Sequence, residues 1–534
     1  MHLNAKDKTT TFFILALTFL LFVQTLLLIR NYSQPWNGID GSDGALFSAI
    51  ARNYSNYGIM EIKGGQATNF GAVANKSELN FYQHHPPMVP LLTYVSFQLF
   101  GESEGAARLA PIILTIGSGA LLFVLIRELF GFNIALLSTF FFASFPMTIF
   151  FGRKVGYESP TLFFILLASY FYFKLVKTNR KSDFIAFLFA LVAALLTDWA
   201  AYFALPIFMI HCWTTKQTGQ FGKPILIGLP ILAVTALGLF ILNTWLAAPE
   251  LVFSVFNQGK AYIGLISPTS ELAKQYIEAQ LDVSLWQYFR HVLTNLDQLF
   301  AYPILLLALA GSFMLPKDGK QNNQRWVILV LISVPILNWL LFWKSMYYHL
   351  WWGYYFTVPL AVLAAIATNE FMSTASSLNE KAFLANKTAI TIGALIISMT
   401  MVGSIPRIVK LQEVQTKLLP GEQFEQASFI KEVAKEITRN SEPDSLILTN
   451  LPESGVRRIL PHYANRNMLS ELDTVEKVDA FLKEHQKNKI YYLLFKEPLP
   501  QVNSNNLSSY LKSSRIHKPF NIQKHQFIWV DLSK

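Results

Sequence analysis

Long apolar runs alternate with short polar segments from the N-terminus to about residue 405. A transmembrane helix needs roughly 20 mostly apolar residues, and runs of this kind predict about eleven spans. We place them at 11–29, 108–126, 132–150, 160–176, 183–197, 201–215, 224–245, 298–315, 326–343, 352–368 and 388–405. The pattern therefore predicts a mainly α, polytopic membrane helix bundle.

The chain changes character after Pro406, where charged residues become frequent and no further span follows. Short buried-strand runs alternate there with amphipathic helical periods. These segments are a helix at 424–438, strands at 445–449 and 490–495, and a helix at 474–485. The strand-helix-strand order predicts a small α/β domain.

These two patterns divide the chain into two domains. Residues 1–409 form the predicted transmembrane domain, and residues 410–534 form the predicted soluble domain. The transmembrane domain contains one long polar loop, residues 31–107, directly after the first span. This loop carries the carboxylates and histidines that make it a candidate catalytic loop.

Basic residues set the orientation of the spans. Cytoplasmic loops of membrane proteins are enriched in Lys and Arg. If the N-terminus is cytoplasmic, each inner loop carries basic residues, among them Arg127, Lys177, Lys223, Lys320 and Lys387. An odd number of spans then places the C-terminal domain on the outer face, and we expect the plasma membrane of a prokaryote.

Whether the segment 86–100 spans the membrane decides which side of it the later loops occupy. It is apolar but short and has two prolines at its start. Counting it as a span would place the later basic loops outside. We therefore interpret it as an interfacial or re-entrant helix within the first outer loop.

Composition excludes several classes of protein. The chain is 52% hydrophobic and 15% charged, against about 25% charged in soluble domains. Its net charge of +10 falls largely between spans, where anionic lipid headgroups rather than nucleic acid are the expected partner. The single cysteine, Cys212, allows no intrachain disulfide.

Asp40 and Asp43 lie about eleven residues beyond the first span, at a position where a general base or metal ligand would face the membrane surface. Residues 45–52 read as a short amphipathic helix with Asp43 near its N-terminus. The alternatives are a turn-forming and a helix-capping role for the carboxylates.

His84 and His85 precede Pro86 and Pro87, which force an extended approach to the next helix. A histidine at this position could donate to a phosphate or bind a metal. The alternative is an interfacial anchor.

Three charged residues, Arg153, Lys154 and Glu158, lie at an outer mouth of the bundle. Charged groups at membrane depth are costly, which makes them functional candidates. The two cations could bind a lipid phosphate or simply snorkel to headgroups. Glu158 could hold a sugar hydroxyl or, with His84, a divalent metal; no cofactor is certain from the sequence.

Asp198 ends a span and is followed by Trp199 and Tyr202, a combination typical of a sugar-binding surface. Lys344 and His349 lie in an aromatic-rich segment and are candidates for phosphate contact. The aromatic residues themselves are routine in interfacial belts.

Three segments in order resemble the GT-C membrane glycosyltransferases. They are DGALFSAIA at 43–51, YQHHPPM at 82–88 and FGESEGAARL at 100–109. The nearest branch is the protein O-mannosyltransferase and lipid A aminoarabinose transferase group, glycosyltransferase family 39 and relatives. The resemblance covers roughly the first 200 residues well.

The resemblance implies an inverting sugar transfer from a polyprenyl-phosphate donor on the outer face, to a lipid, glycan or protein acceptor. The family's catalytic Asp falls on Asp43, and its second-loop acid falls on Glu158. Two positions depart from the family: relatives often have Lys at His85 and Glu at Gly44.

Two other hypotheses remain open from the residues. A secondary transporter or flippase of a lipid-linked or small polar substrate would also need many spans and outer charges, but such proteins tend to show internal halves, which this chain does not. A noncatalytic assembly factor would use the C-terminal domain to dock a partner.

Overall fold

The computed structural model describes residues 5–262, 284–315, 322–346, 349–377, 382–414, 427–451, 458–470, 472–484, 489–495, 507, 510–511, 517–522 and 525–532. Its α-helices are α1 (Ala5–Ile29), α2 (Gly38–Tyr57), α3 (Met88–Phe100), α4 (Glu104–Phe130), α5 (Phe132–Ser144), α6 (Pro146–Phe151), α7 (Glu158–Thr178), α8 (Lys181–Leu195), α9 (Leu205–Thr215), α10 (Gly222–Ala247), α11 (Val252–Tyr262), α12 (Leu285–Phe300), α13 (Tyr302–Phe313), α14 (Asn322–Leu341), α15 (Trp343–Met346), α16 (Thr357–Ser377), α17 (Ala382–Val414), α18 (Ala427–Asn440), α19 (Ile459–Ala464) and α20 (Val475–Glu484). Its strands are β1 (Gln66–Ala67), β2 (Phe81–Tyr82), β3 (Leu446–Thr449), β4 (Asn467–Leu469), β5 (Ile490–Phe495), β6 (His517–Ile522) and β7 (His525–Asp531).

The structure confirms a mainly α, multi-pass membrane protein. Among the described residues, seven helical segments are long and apolar enough to span a membrane, and an eighth if α12 and α13, bent by 99°, count as one span. The predicted spans at 132–150, 183–197 and 201–215 fall on α5, α6, α8 and α9, which have 15 residues or fewer each. Pro146 separates α5 from α6, because proline cannot continue the hydrogen-bond ladder of the preceding turn. The count of about eleven spans stays a prediction.

The first of two compact units contains most of the apolar helices. It comprises Met1–Tyr32, Gln83–Val89 and Arg108–Gln412. One continuous hydrophobic core joins α4, α5, α7 to α10, α13, α14 and α16. Phe141, Phe142 and Phe208 are completely buried in it. Aromatic side chains of this size fill the space between helices that lipid cannot enter.

The second compact unit comprises Ser33–Tyr82, Pro90–Ala107 and Glu413–Lys534. Its sheet has the strand order β4-β3-β5-β7-β6. Strands β4, β3 and β5 are parallel, whereas β7 runs antiparallel to β5 and to β6. All six residues of the central strand β5 are buried, as expected of a strand covered on both faces. The predicted α/β character of the C-terminal region is therefore confirmed.

Residues of the polar first loop and of the C-terminal region pack together within this second unit. Helix α2 contacts α19. Arg52 of α2 pairs with Glu102 at 2.6 Å and donates to the Asn465 side chain at 2.7 Å. The domain boundary at residue 409 was drawn from composition alone and stays a prediction.

The close contact between α13 and α16 gives a test of the first unit. A Cβ atom at Gly311 would lie 1.9 Å from the Leu363 carbonyl oxygen. Since backbone cannot yield as a side chain can, Gly311→Ala should lower the free energy of unfolding by about 1–3 kcal/mol. Thermal unfolding of the detergent-solubilised protein measures this.

Gly228 of α10 is the matched control, because a Cβ there meets no atom within 4 Å. Gly228→Ala should leave the melting temperature unchanged or raise it, as alanine favours helix by roughly 1 kcal/mol over glycine. Equal melting temperatures for the two variants would contradict the close packing of α13 on α16.

Candidate active site

A buried aspartate organises one end of the first unit. Asp198 precedes the 3₁₀ turn Trp199–Ala204 and accepts from the Trp199 backbone N–H at 2.7 Å. The Tyr355 hydroxyl donates to its other carboxylate oxygen at 2.5 Å. His85 Nε2 lies 3.5 Å from Asp198 Oδ1. A carboxylate that is only 6% exposed thus accepts two hydrogen bonds and has the His85 imidazole beside it.

Aromatic rings fix His85 beside this carboxylate. The imidazole stacks on Tyr157 with ring centroids 4.1 Å apart. The indole N–H of Trp199 donates to the His84 carbonyl oxygen at 2.8 Å and so holds the preceding backbone. The structure therefore brings together two predicted site residues, His85 and Asp198, that are far apart in the sequence.

A second acid, Glu158, and a cation, Lys154, lie near each other in the sequence. Both are buried at the turn that leads into α7. Lys154 and Glu158 are each 3% exposed. A Cβ at Gly156 would lie 3.4 Å from Lys154 Nζ and 2.7 Å from Glu158 Oε2, so both charged ends converge on this glycine. The Lys154 ammonium also lies 4.0 Å from the centre of the Trp351 ring, a cation–π distance.

Arg153 contacts a backbone carbonyl group, whereas His349 contacts aromatic rings. Arg153 Nη1 donates to the Arg30 carbonyl oxygen at 2.5 Å, at the C-terminal end of α1. It therefore satisfies a backbone group that the helix leaves unpaired. The His349 ring stacks on Trp352 at 4.7 Å and meets the edge of Trp351, the ring that receives Lys154.

Asp43 belongs to the second unit and has a cationic partner there. It lies in the second turn of α2, and its Oδ1 is 2.9 Å from Arg458 Nη1. Helix α2 begins at Gly38 with Asn37 as N-cap. The helix-capping alternative for Asp43 is therefore wrong, because α2 begins at residue 38, about two turns before the predicted start at residue 45.

Two predicted site residues have side chains outside the described part of the structure, Asp40 in α2 and Lys344 in α15. The described residues include no group of three or more His, Cys, Asp or Glu side chains that could hold a metal ion. The metal role proposed for Glu158 and His84 accordingly stays a prediction.

Known proteins resemble parts of this chain in sequence. Residues 84–246 match the family model described as dolichyl-phosphate-mannose-protein mannosyltransferase. The putative mannosyltransferase YkcB of Bacillus subtilis is 25% identical over 188 residues, 35% of this chain and 25% of that protein. An uncharacterized protein of Aquifex aeolicus is 28% identical over 192 residues, 35% of this chain and 36% of that protein. The chain thus spans between 25% and 36% of the length of these relatives.

Solved structures resemble the whole chain. ArnT from Cupriavidus metallidurans has a TM-score of 0.60 at 14% identity, with 98% of each chain covered. The archaeal oligosaccharyltransferase AglB from Archaeoglobus fulgidus has a TM-score of 0.57 at 10% identity, covering 91% of this chain and 70% of its own. The chain has the GT-C fold.

Packing against Trp36 accounts for the glycine that follows Asp43. A Cβ at Gly44 would lie 2.2 Å from the Trp36 ring. Trp36 is buried against α2, and its backbone N–H donates to the Tyr463 hydroxyl at 2.6 Å. A side chain at the position next to Asp43 would therefore require the Trp36 ring to move.

Four side chains of these clusters escaped the sequence analysis: Tyr157, Tyr355, Trp351 and Arg458. The three aromatic residues were assigned to an interfacial belt or passed over, because a belt and a buried site use the same residue types. Arg458 carried no local signal, since its partner Asp43 is 415 residues away.

Histidine 462 gives a pH test of the second unit. It is buried in α19, and burial, followed by the charges of Arg52 and Lys431, lowers its pKa from 6.5 to about 3. Between these two values the unfolded chain binds a proton that the folded chain does not, so stability is lost as pH falls below 6.5. The loss is at most about 1.4 kcal/mol per pH unit.

The measurement is the melting temperature of the purified protein between pH 7.5 and 5.5, compared with His462→Gln. The difference in melting temperature between the wild type and the variant should shrink as pH falls, because the variant lacks the histidine that titrates. A constant difference across the range would contradict the burial of a neutral His462.

Proposed function

We propose that this protein is a membrane glycosyltransferase. It moves a sugar from a polyprenyl-phosphate donor to an acceptor on the outer face of a prokaryotic plasma membrane. The N-terminus is cytoplasmic and the C-terminal region lies outside. The GT-C fold and the mannosyltransferase match over residues 84–246 support the proposal.

One observation carries it: a lysine buried in the bundle beside an acid and an aromatic face. A buried ammonium is costly, and such groups in membrane proteins mark the paths of charged substrates. Lys154 contacts Trp351 by its charged end and converges with Glu158 on Gly156. We assign Lys154 to the phosphate of the lipid donor.

The phosphate is the leaving group of the reaction. It departs as an anion with the electron pair of the broken bond to the anomeric carbon, so it needs electrostatic support more than a proton. ArnT has been solved bound to undecaprenyl phosphate and AglB in complex with a dolichol-phosphate. Both ligands are polyprenyl phosphates, which supports this donor class for the present chain.

Asp43 is assigned the role of general base, from the resemblance of residues 43–51 to the family. It takes the proton from an acceptor hydroxyl whose oxygen then forms the new bond to the anomeric carbon. Attack from the side opposite the phosphate inverts the configuration. The acceptor is a lipid, a glycan or a protein.

Asp198, His85 and Tyr355 form a group that suits a sugar. A buried carboxylate and a half-buried imidazole, flanked by Trp199 and Tyr157, offer hydroxyl partners next to flat apolar surfaces. We propose that this group orients the donor or acceptor sugar in the first unit.

A transfer assay tests the assignments. With membranes containing the full chain and a labelled polyprenyl-phosphate sugar, Asp43→Asn should lower the transfer rate by about 10²–10⁴-fold at an unchanged protein level, because the base is lost. Lys154→Gln should lower it by about 10–100-fold, because a charged contact to the phosphate is lost.

Lys177→Gln is the matched control, since Lys177 is exposed and pairs with Glu128 at 3.0 Å at the far end of α7. It should retain full activity. Undiminished transfer by Asp43→Asn would remove the base assignment. Uptake of the labelled compound into liposomes without product would favour a transporter instead.

A further inference from the structure

An ion pair links the polar first loop to the C-terminal region inside the second unit. Arg458 Nη1 and Asp43 Oδ1 are 2.9 Å apart. The side chains are only 27% and 23% exposed. Asp43 is the residue to which the proposed function assigns proton transfer, so its partner bears directly on the reaction.

The Arg458 backbone is held in place by the short helix that follows it. Arg458 immediately precedes α19, in which Ile459, Leu460 and Ala464 are buried. Helix α19 is fixed on the first loop by Tyr463, whose hydroxyl accepts from the Trp36 backbone at 2.6 Å. The same hydroxyl donates to the Glu104 carboxylate at 2.7 Å.

Contacts at both ends of α2 make the alignment of the two helices specific. Trp36 fits against Gly41 and Gly44 and meets the edge of the His462 ring at 6.5 Å. At the other end of α2, Arg52 donates to the Asn465 side chain at 2.7 Å. These contacts fix the register of α2 and α19, so the Arg458 guanidinium meets Asp43 from an anchored backbone.

An exposed ion pair contributes little to stability. The pair between Asp43 and Arg458 is mostly buried, and anchoring is already supplied by Arg52, Tyr463 and Lys431, which pairs with Glu104 at 2.9 Å. A further anchor is not needed at this point. The planar guanidinium can instead orient a carboxylate, which an ammonium does less well.

We infer that Arg458 is a positioning residue for Asp43, and that the C-terminal region is thereby part of the transfer machinery. The guanidinium holds Asp43 Oδ1 and so fixes the plane of the carboxylate that receives the acceptor proton. This role rests on the proposed function. It assigns to the C-terminal region a task in the chemical step, beyond docking or stability.

Steady-state transfer kinetics of the full-length protein in lipid nanodiscs test this role. Arg458→Gln should lower kcat by about 10–100-fold, because a misplaced catalytic group loses rate steeply with small displacements. KM for the labelled polyprenyl-phosphate sugar should stay within about twofold, since donor binding is assigned to the first unit. Arg458→Lys should recover part of kcat.

A double variant separates positioning from folding. In an Asp43→Asn background, Arg458→Gln should cause no further loss of kcat, because the two residues act through one group. Arg439→Gln is the inert control: Arg439 is exposed, lies in α18 and pairs with Glu436 on its own helix. It should leave kcat and melting temperature unchanged.

These measurements separate the positioning role of Arg458 from the proposed transferase function. A lower melting temperature with unchanged kcat for folded Arg458→Gln would overturn the positioning role and leave the transferase proposal intact. Independent, multiplying losses in the double variant would also overturn it. No transfer by the wild-type protein would overturn the proposed function, and the positioning role with it.

Discussion

Burial of charge inside an apolar bundle is the constraint on which the first unit depends. Lys154, Glu158, Asp198 and Arg153 are all nearly withdrawn from solvent. Each would be costly without a partner. The partners are the donors around Asp198, the aromatic face beneath Lys154 and the end of α1 at Arg153. These contacts hold the backbone of the turn before α7 and of the turn before α9 in place.

The second unit meets a different constraint, the close approach of Trp36 to α2. Gly41 and Gly44 lie one turn apart on α2. Because neither has a side chain, Trp36 packs directly against the helix there. Tyr463 and Arg52 then join the first loop to the C-terminal region. Glycine at residue 44 is therefore what lets the Trp36 ring lie this close to α2.

Much of the fold follows from the sequence, because its signals are local. The apolar runs, the helix at 475–484 and the strand at 490–495 emerge where periodicity placed them. The sequence did not predict where a helix is interrupted, because mean hydropathy averages over a break such as the one at Pro146. Strands β4, β6 and β7 were not predicted from the sequence.

The candidate site was predictable where residue type alone carried the signal. Lys154, Glu158 and Asp198 stood out because charge is rare at membrane depth. Their partners did not stand out: Tyr355 and Trp351 look like belt residues, and Arg458 looks like any soluble-domain arginine. Long-range pairing of this kind is decided by tertiary structure, which no local pattern encodes.

We propose that the Lys154 ammonium binds the phosphate of the lipid donor. The most direct measurement is equilibrium binding of undecaprenyl phosphate to the purified protein in nanodiscs, compared among wild type, Lys154→Gln and Asp43→Asn. We expect binding weakened by about tenfold or more in Lys154→Gln, because a charged contact is lost, and unchanged binding in Asp43→Asn. Equal affinity of the wild type and Lys154→Gln would contradict it.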